Sequence, residues 1–217
     1  MVGGYVLYGG PGTGAVAVEA ALILAGEPYE LVDAPDEAAL DKVLAANPMR
    51  QVPALIFPDG EVMTESAAIL LRIAETHPAS RLAPAIDDPI RGAFLRWASF
   101  VSSAIYAHYW LKDDPGRLIP DPGLHQVVNE RLEQRLLTCW SIMEKGIAPY
   151  APAPYILGND LTVLDLYVTV VSRFRPRRQR FYAVAPRLGE IVRRVDADPR
   201  LTALWAARYP MVGAWDR

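Results

Sequence analysis

Residues 51–70 read QVPALIFPDGEVMTESAAIL. Pro53 stands directly before the apolar run ALIF, the turn signal Pro58-Asp59-Gly60 separates that run from EVMT, and Glu65 and Ser66 head a helical pattern. Two short apolar runs joined by a Pro-Asp-Gly turn read as an antiparallel pair. The spacing after Thr64 predicts a helix from Ser66 to Thr76. An acid beside a helix N-terminus offers two opposite electrostatic partners, the carboxylate for a cation and the free N–H groups with the serine hydroxyl for an anion.

Upstream, the chain alternates between strand and helix. YVLYG is a short apolar strand, and GTGAVAVEAALILAG has helical spacing and stops at Gly26, with Pro28 just beyond. YELVD reads as a second strand and PDEAALDKVLAAN as a helix stopped by Asn47 and Pro48. The order through Thr76 is therefore βαβαββα, an α/β unit.

Beyond residue 88 the strand signals cease. HPASRLAPAIDDP has the composition of a linker, and Pro89 suits the first turn of a long helix over 89–112 that carries Trp97, Phe100, Tyr106, Tyr109 and Trp110. A second long helix is expected over 124–145, with Val127, Val128, Leu132, Leu136 and Ile142 at helical spacing. In NDLTVLDLYVTVV, Thr162 and Asp165 form a capping pair, and Leu161 and Leu166 hold the positions of a hydrophobic staple. This division predicts an N-terminal unit at 1–78, a linker at 79–87 and an all-helical unit at 88–217.

At 217 residues and 52% hydrophobic content the chain can bury a sizeable core. A net charge of −3 does not call for nucleic acid or an anionic membrane. The single cysteine, Cys139, allows no intrachain disulfide. MVGGYVLYGG lacks the features of a signal peptide, and no run approaches the ~18 apolar residues of a membrane span. A soluble, cytoplasmic protein without nucleic-acid or membrane partners is expected. His77, His108 and His125 show no ligand spacing, so no metal is expected. GGPGTG at 9–14 leads from strand to helix, yet Ala15 and Val16 stand where a phosphate loop needs Lys and Ser or Thr. RFRPRRQR at 173–180 carries five arginines and reads as a solvated basic loop.

QVPAL before the third strand, TES at the head of the third helix, PYILGNDLTVLDLYV, and the order βαβαββα before an all-helical half together resemble the cytosolic glutathione transferases of bacterial type, over essentially the whole chain. The resemblance implies a thioredoxin-like N-terminal domain, a helical C-terminal domain, a homodimer, and a detoxifying transferase that joins glutathione to a small hydrophobic electrophile. It implies a cis Val52–Pro53 bond that leaves the Val52 N–H and C=O free to pair with the glutathione backbone. Glu65 and Ser66 would receive the γ-glutamyl ammonium and carboxylate groups, and Arg50 and Gln51 are candidates for the glycyl carboxylate.

A free thiol with a pKa of about 8.5 is mostly protonated at pH 7, and each unit of depression, worth about 1.4 kcal/mol, yields up to tenfold more thiolate. The family uses a hydroxyl near the first helix for this. Here Thr13 is the first choice and Tyr8 the alternative, with N–H groups of the glycine-rich turn able to share the task. Tyr106, Tyr109 and Trp110, at i, i+3 and i+4, would share a face toward the electrophile. A glutathione-dependent disulfide or peroxide reductase lacking a catalytic cysteine, and a non-catalytic binding or dimerisation module, are the two alternatives.

Overall fold

A computed structural model describes residues 3–33, 41, 43 and 45–210. Strands β1 (Tyr5–Gly9), β2 (Tyr29–Asp33), β3 (Ala54–Ile56) and β4 (Val62–Thr64) form one sheet in the order β2-β1-β3-β4. β1 pairs parallel with β2 and antiparallel with β3, which pairs antiparallel with β4. A parallel neighbour requires a crossover, and α1 (Ala15–Ala25) supplies it. Gly26 ends α1 at φ 78°, where a side chain would be strained, and Gly60 turns the β3–β4 hairpin at φ 89°. The expected helix PDEAALDKVLAAN falls largely outside the described residues.

Side chains alternate across β1, so Tyr5, Leu7 and Gly9 face one side of the sheet. That side carries α1 and α2 (Ser66–Thr76). Every residue of α1 from Ala15 to Leu22 is buried, Glu19 included, because the helical half covers its far face. Tyr8 points to the opposite side and packs with Val52 against Val43 and Ala54.

The helical half comprises α3 (Arg91–Phe100), α4 (Tyr109–Asp113), α5 (His125–Gly146), α6 (Val163–Val171), α7 (Arg178–Val184), α8 (Pro186–Asp196) and α9 (Thr202–Arg208). The second long helix forms almost as expected. The first does not run unbroken over 89–112: a wide π-helical turn at Val101–Ile105 and a tight 3₁₀ turn at Tyr106–His108 separate α3 from α4. Local changes in winding alter the angle between successive residues, which a uniform 3.6-residue period cannot anticipate. Residues 81–90 are irregular, and Leu82 C=O accepts from Val163 N–H at the head of α6.

At that head, Asp165 accepts from both the N–H and the hydroxyl of Thr162, each at 2.8 Å, and from Ile156 N–H at 2.9 Å. Leu161 and Leu166 are both buried, as a staple requires. The capping segment therefore ties the backbone at Ile156 and at Thr162 to one carboxylate, and α6 packs against α1 and α2.

The run 173–180 is not a solvated loop. Arg173 and Arg178 are buried, and both bond Asp196 and the Thr169 carbonyl. Arg173 also lies over the rings of Trp205 and Tyr209. Arg180 pairs with Glu133 at the surface. A count of arginines could not reveal this, because the carboxylate and rings that receive them come from α8, α9 and the stretch just beyond.

Candidate functional site

The first turn and the head of α2 meet the helical half at Gly14–Tyr106 and Ser66–Tyr167, and the stretch before β3 packs beside Tyr8. The Val52–Pro53 peptide bond is cis, as expected from the resemblance. Val52 is half-buried and lies outside the strand ladder, which begins at Ala54. The approach to it is set by Asn47, a buried polar residue whose side chain donates to Gln51 C=O at 2.8 Å and accepts from Met49 N–H at 3.0 Å. Arg50 takes a left-handed backbone at φ 54° and pairs with Asp41 at 2.8 Å. Gln51 is half-buried beside it.

Glu65 is exposed and holds φ 66°, ψ 103°, a conformation that a non-glycine residue adopts at a cost of about 1–3 kcal/mol. Its carboxylate caps no backbone group of α2. Ser66 follows at the first position of α2, only 5% exposed. Its hydroxyl lies 2.7 Å from the phenol of Tyr167 on α6. Burial pushes the Tyr167 phenol up to about 12, so at neutral pH it is uncharged. The expectation of a serine hydroxyl awaiting a ligand is thus modified: the hydroxyl already has a partner 101 residues away.

At the glycine-rich turn, Thr13 donates its hydroxyl hydrogen to Gly10 C=O at 2.8 Å and accepts from Ala15 N–H at 3.2 Å. It closes the turn and caps α1. Gly14 N–H donates to the Tyr106 phenol at 2.9 Å. A Cβ on residue 14 would stand 2.5 Å from that phenolic oxygen, so the turn needs glycine there for tertiary reasons.

The aromatic wall is composed differently from the expected trio. Tyr106 meets Tyr109, Tyr167 and Phe174 at ring-centroid distances of 6.2, 6.0 and 5.6 Å, and Tyr109 meets Phe174 at 5.3 Å. Burial pushes the Tyr106 and Tyr109 phenols well above the ordinary range. Trp110 is 43% exposed and lies under the guanidinium of Arg117, away from this cluster. Tyr167 and Phe174 were not expected. The first was absorbed into a capping segment and the second into a basic run, and nothing local marks either as a neighbour of Tyr106.

The structure therefore links Ser66 through Tyr167 and Tyr106 to Gly14, the neighbour of Thr13, while Val52, with Arg50, Gln51 and Pro53 beside it in the chain, packs in a separate cluster. Tyr8 lies across the sheet beside Val52.

Among the described residues no helix is long and apolar enough to cross a membrane. Comparison with known proteins follows the same lines as the geometry. Residues 14–81 match the family model of the glutathione S-transferase N-terminal domain. The uncharacterized GST-like protein YncG of Escherichia coli K12 is 30% identical over 199 residues, 90% of this chain and 94% of its own. A solved glutathione transferase homolog from Sulfitobacter with bound glutathione superposes with a TM-score of 0.80 at 27% identity, covering 94% of this chain and 97% of its own. A sphingomonad glutathione S-transferase complexed with glutathione gives 0.75 at 27% identity, covering 94% and 98%. With the four-stranded sheet, the cis-proline before β3, the Glu65-Ser66 helix head and the helical half all in place over nearly the full chain, the protein belongs to the glutathione S-transferase family.

Proposed function

We propose that the protein binds glutathione along Val52, Glu65 and Ser66 and transfers its thiolate to a small hydrophobic electrophile. The observation that carries this reading is the helix head of α2: an exposed acid in a strained left-handed conformation, followed by a serine at the first helical position. Backbone strain of this kind gathers at ligand clamps, and an α-amino acid end supplies both charges such a clamp can receive. The Glu65 carboxylate faces the γ-glutamyl ammonium; the N-terminus of α2 and the Ser66 hydroxyl face the carboxylate. The Val52 N–H and C=O pair with the peptide in antiparallel fashion, and Arg50 and Gln51 meet its glycyl end. The bound glutathione in two structural relatives lends support.

The chemistry required of the protein is modest. A thiol held at the junction of α1 with the helical half loses its proton to solvent, and hydrogen-bond donors around the sulfur favour the thiolate. The sulfur then attacks the electrophile, the leaving group or ring-opened oxygen takes up the electron pair, and no covalent bond to the protein forms. Thr13 contributes by shaping the turn, and the aromatic group of Tyr106, Tyr109 and Phe174 supplies an apolar wall for the second substrate.

Calorimetry with glutathione tests the binding step. A dissociation constant that rises about tenfold or more in Ser66→Ala and in Glu65→Gln supports the reading, since charge-assisted hydrogen bonds are worth roughly 1.5–3 kcal/mol. Absence of binding by the wild type at millimolar glutathione overturns it. Conjugation of an aromatic halide, measured against reduction of a glutathione mixed disulfide, then separates transferase from reductase.

A further inference from the structure

We propose that Tyr106 is a catalytic residue of this site, its phenolic hydrogen donated to the glutathione sulfur while its oxygen is held by the N–H of Gly14. This rests on the glutathione-binding reading above and names the group that stabilises the thiolate.

Three hydroxyls lie close enough to the first turn to be considered, and their hydrogens are not equally available. Thr13 has one hydrogen, already given to the Gly10 carbonyl at 2.8 Å. To donate to a ligand it must abandon a bond that closes the turn. Tyr8 points to the other side of the sheet from α1 and packs beside Val52 against Val43 and Ala54, so it is the rival donor, but no N–H polarises its oxygen among the described residues. Tyr106 reaches across from the helical half and accepts from Gly14 N–H at 2.9 Å. Among the described residues, that bond is the one made by its hydroxyl, and no acceptor takes its hydrogen.

The surroundings suit a donor. Gly14 immediately precedes α1, an eleven-residue helix, so its N–H belongs to the positive end of the helix dipole. An N–H that donates to a phenol oxygen withdraws charge from it and strengthens the O–H as a donor in turn. Burial keeps the phenol protonated, so the hydrogen is present over the whole neutral range. The Tyr106 ring stands edge-on to Tyr167, the residue bonded to Ser66, with centroids 6.0 Å apart. A tripeptide whose γ-glutamyl end sits at Ser66 therefore has its central cysteine within reach of the phenol. The thiol proton passes to solvent; Tyr106 keeps its own proton and shares it with the thiolate through the hydrogen bond.

The test is a pH titration of bound glutathione, followed by the ultraviolet absorbance of its thiolate, in the wild type, Tyr106→Phe and Thr13→Val, each first shown by calorimetry to bind glutathione. The expected result is a bound-thiol pKa about one unit higher in Tyr106→Phe, hence about tenfold less thiolate below that pKa, with a smaller rise in Thr13→Val, which alters only the turn that presents the Gly14 N–H. Replacing Tyr106 by 3,5-difluorotyrosine keeps the ring and sharpens the donor, and is expected to lower the thiol pKa; this variant serves equally if the phenylalanine variant folds poorly. A bound-thiol pKa that is the same in wild type, Tyr106→Phe and the fluorinated variant overturns the assignment while leaving glutathione binding intact. A wild type that binds no glutathione overturns both.

Discussion

The hydroxyls of Ser66 and Tyr167 lie 2.7 Å apart across 101 residues of chain, joining the head of α2 to the buried helix α6. Ser66 is 5% exposed and Tyr167 1% exposed, so the bond is largely shielded from bulk water. The bond couples the proposed ligand clamp to the core of the helical half.

That coupling is measurable by a double-mutant cycle. Tyr167→Phe leaves a buried serine hydroxyl without this partner and is expected to cost about 1–3 kcal/mol, as is Ser66→Ala from the other side. The double variant should cost less than the sum by roughly 1 kcal/mol, read from urea midpoints at constant m-value. Strict additivity would show that the two hydroxyls do not interact.

Glu19 is fully buried on α1 and is held by Arg208 of α9 through three contacts of 2.7–3.1 Å and by the Tyr29 phenol at 2.7 Å. Arg208→Ala removes the cation and leaves a buried carboxylate, so a loss of about 3–5 kcal/mol is expected. Arg208→Met combined with Glu19→Gln should recover much of that loss. An Arg208→Ala variant as stable as the wild type would show that water reaches Glu19.

Asp165 provides a pH dependence. Burial pushes its carboxyl up to about 6 from an ordinary 3.8, against the opposing pull of its hydrogen bonds. The folded state therefore holds this proton more tightly than the unfolded state. Its contribution is complete below about pH 4 and is lost as pH rises through about 6, a fall of about 3 kcal/mol from this one group. The difference between wild type and Asp165→Asn, followed by chemical denaturation from pH 4 to pH 7, isolates it. A difference that is flat with pH would refute the raised value.

Gly14→Ala places a methyl 2.5 Å from the Tyr106 oxygen and is expected to destabilise by about 1–3 kcal/mol through overpacking. In a Tyr106→Ala background the clash has no object, so the same substitution should then cost almost nothing. Equal costs in both backgrounds would place the strain in the backbone of the turn.

The basic run separates by burial. Arg175→Gln and Arg180→Gln are exposed changes and should alter stability by less than about 1 kcal/mol. Arg173→Gln removes a buried guanidinium from Asp196 and is expected to cost several kcal/mol, about 3 or more. Thermal denaturation of the three variants decides between this and a solvated loop.

Much of the fold was legible because its signals are local. Period-two runs, the Pro58-Asp59-Gly60 turn, Gly26 after α1 and the Thr162–Asp165 cap each act within a few residues, and the structure has them all. The break between α3 and α4 was not legible, since a π turn and a 3₁₀ turn leave the same apolar residues in the same order. Site residues divide likewise. Pro53, Glu65 and Ser66 announce themselves by what precedes and follows them. Tyr167 and Phe174 matter only through neighbours contributed by other elements.

The sequence by itself determined the family and most of the order of elements, because capping, turn chemistry and periodicity are properties of short stretches of chain, and the proposed ligand clamp was read from such a stretch. Tertiary structure alone decided which hydroxyl keeps a hydrogen to give. Thr13 spends its hydrogen on Gly10, Tyr8 lies beside Val52 on the face of the sheet away from α1, and Tyr106 arrives at Gly14 from 92 residues away. The physical reason is that a hydroxyl has one hydrogen, and whether it remains available depends on which acceptors the packed chain brings within reach.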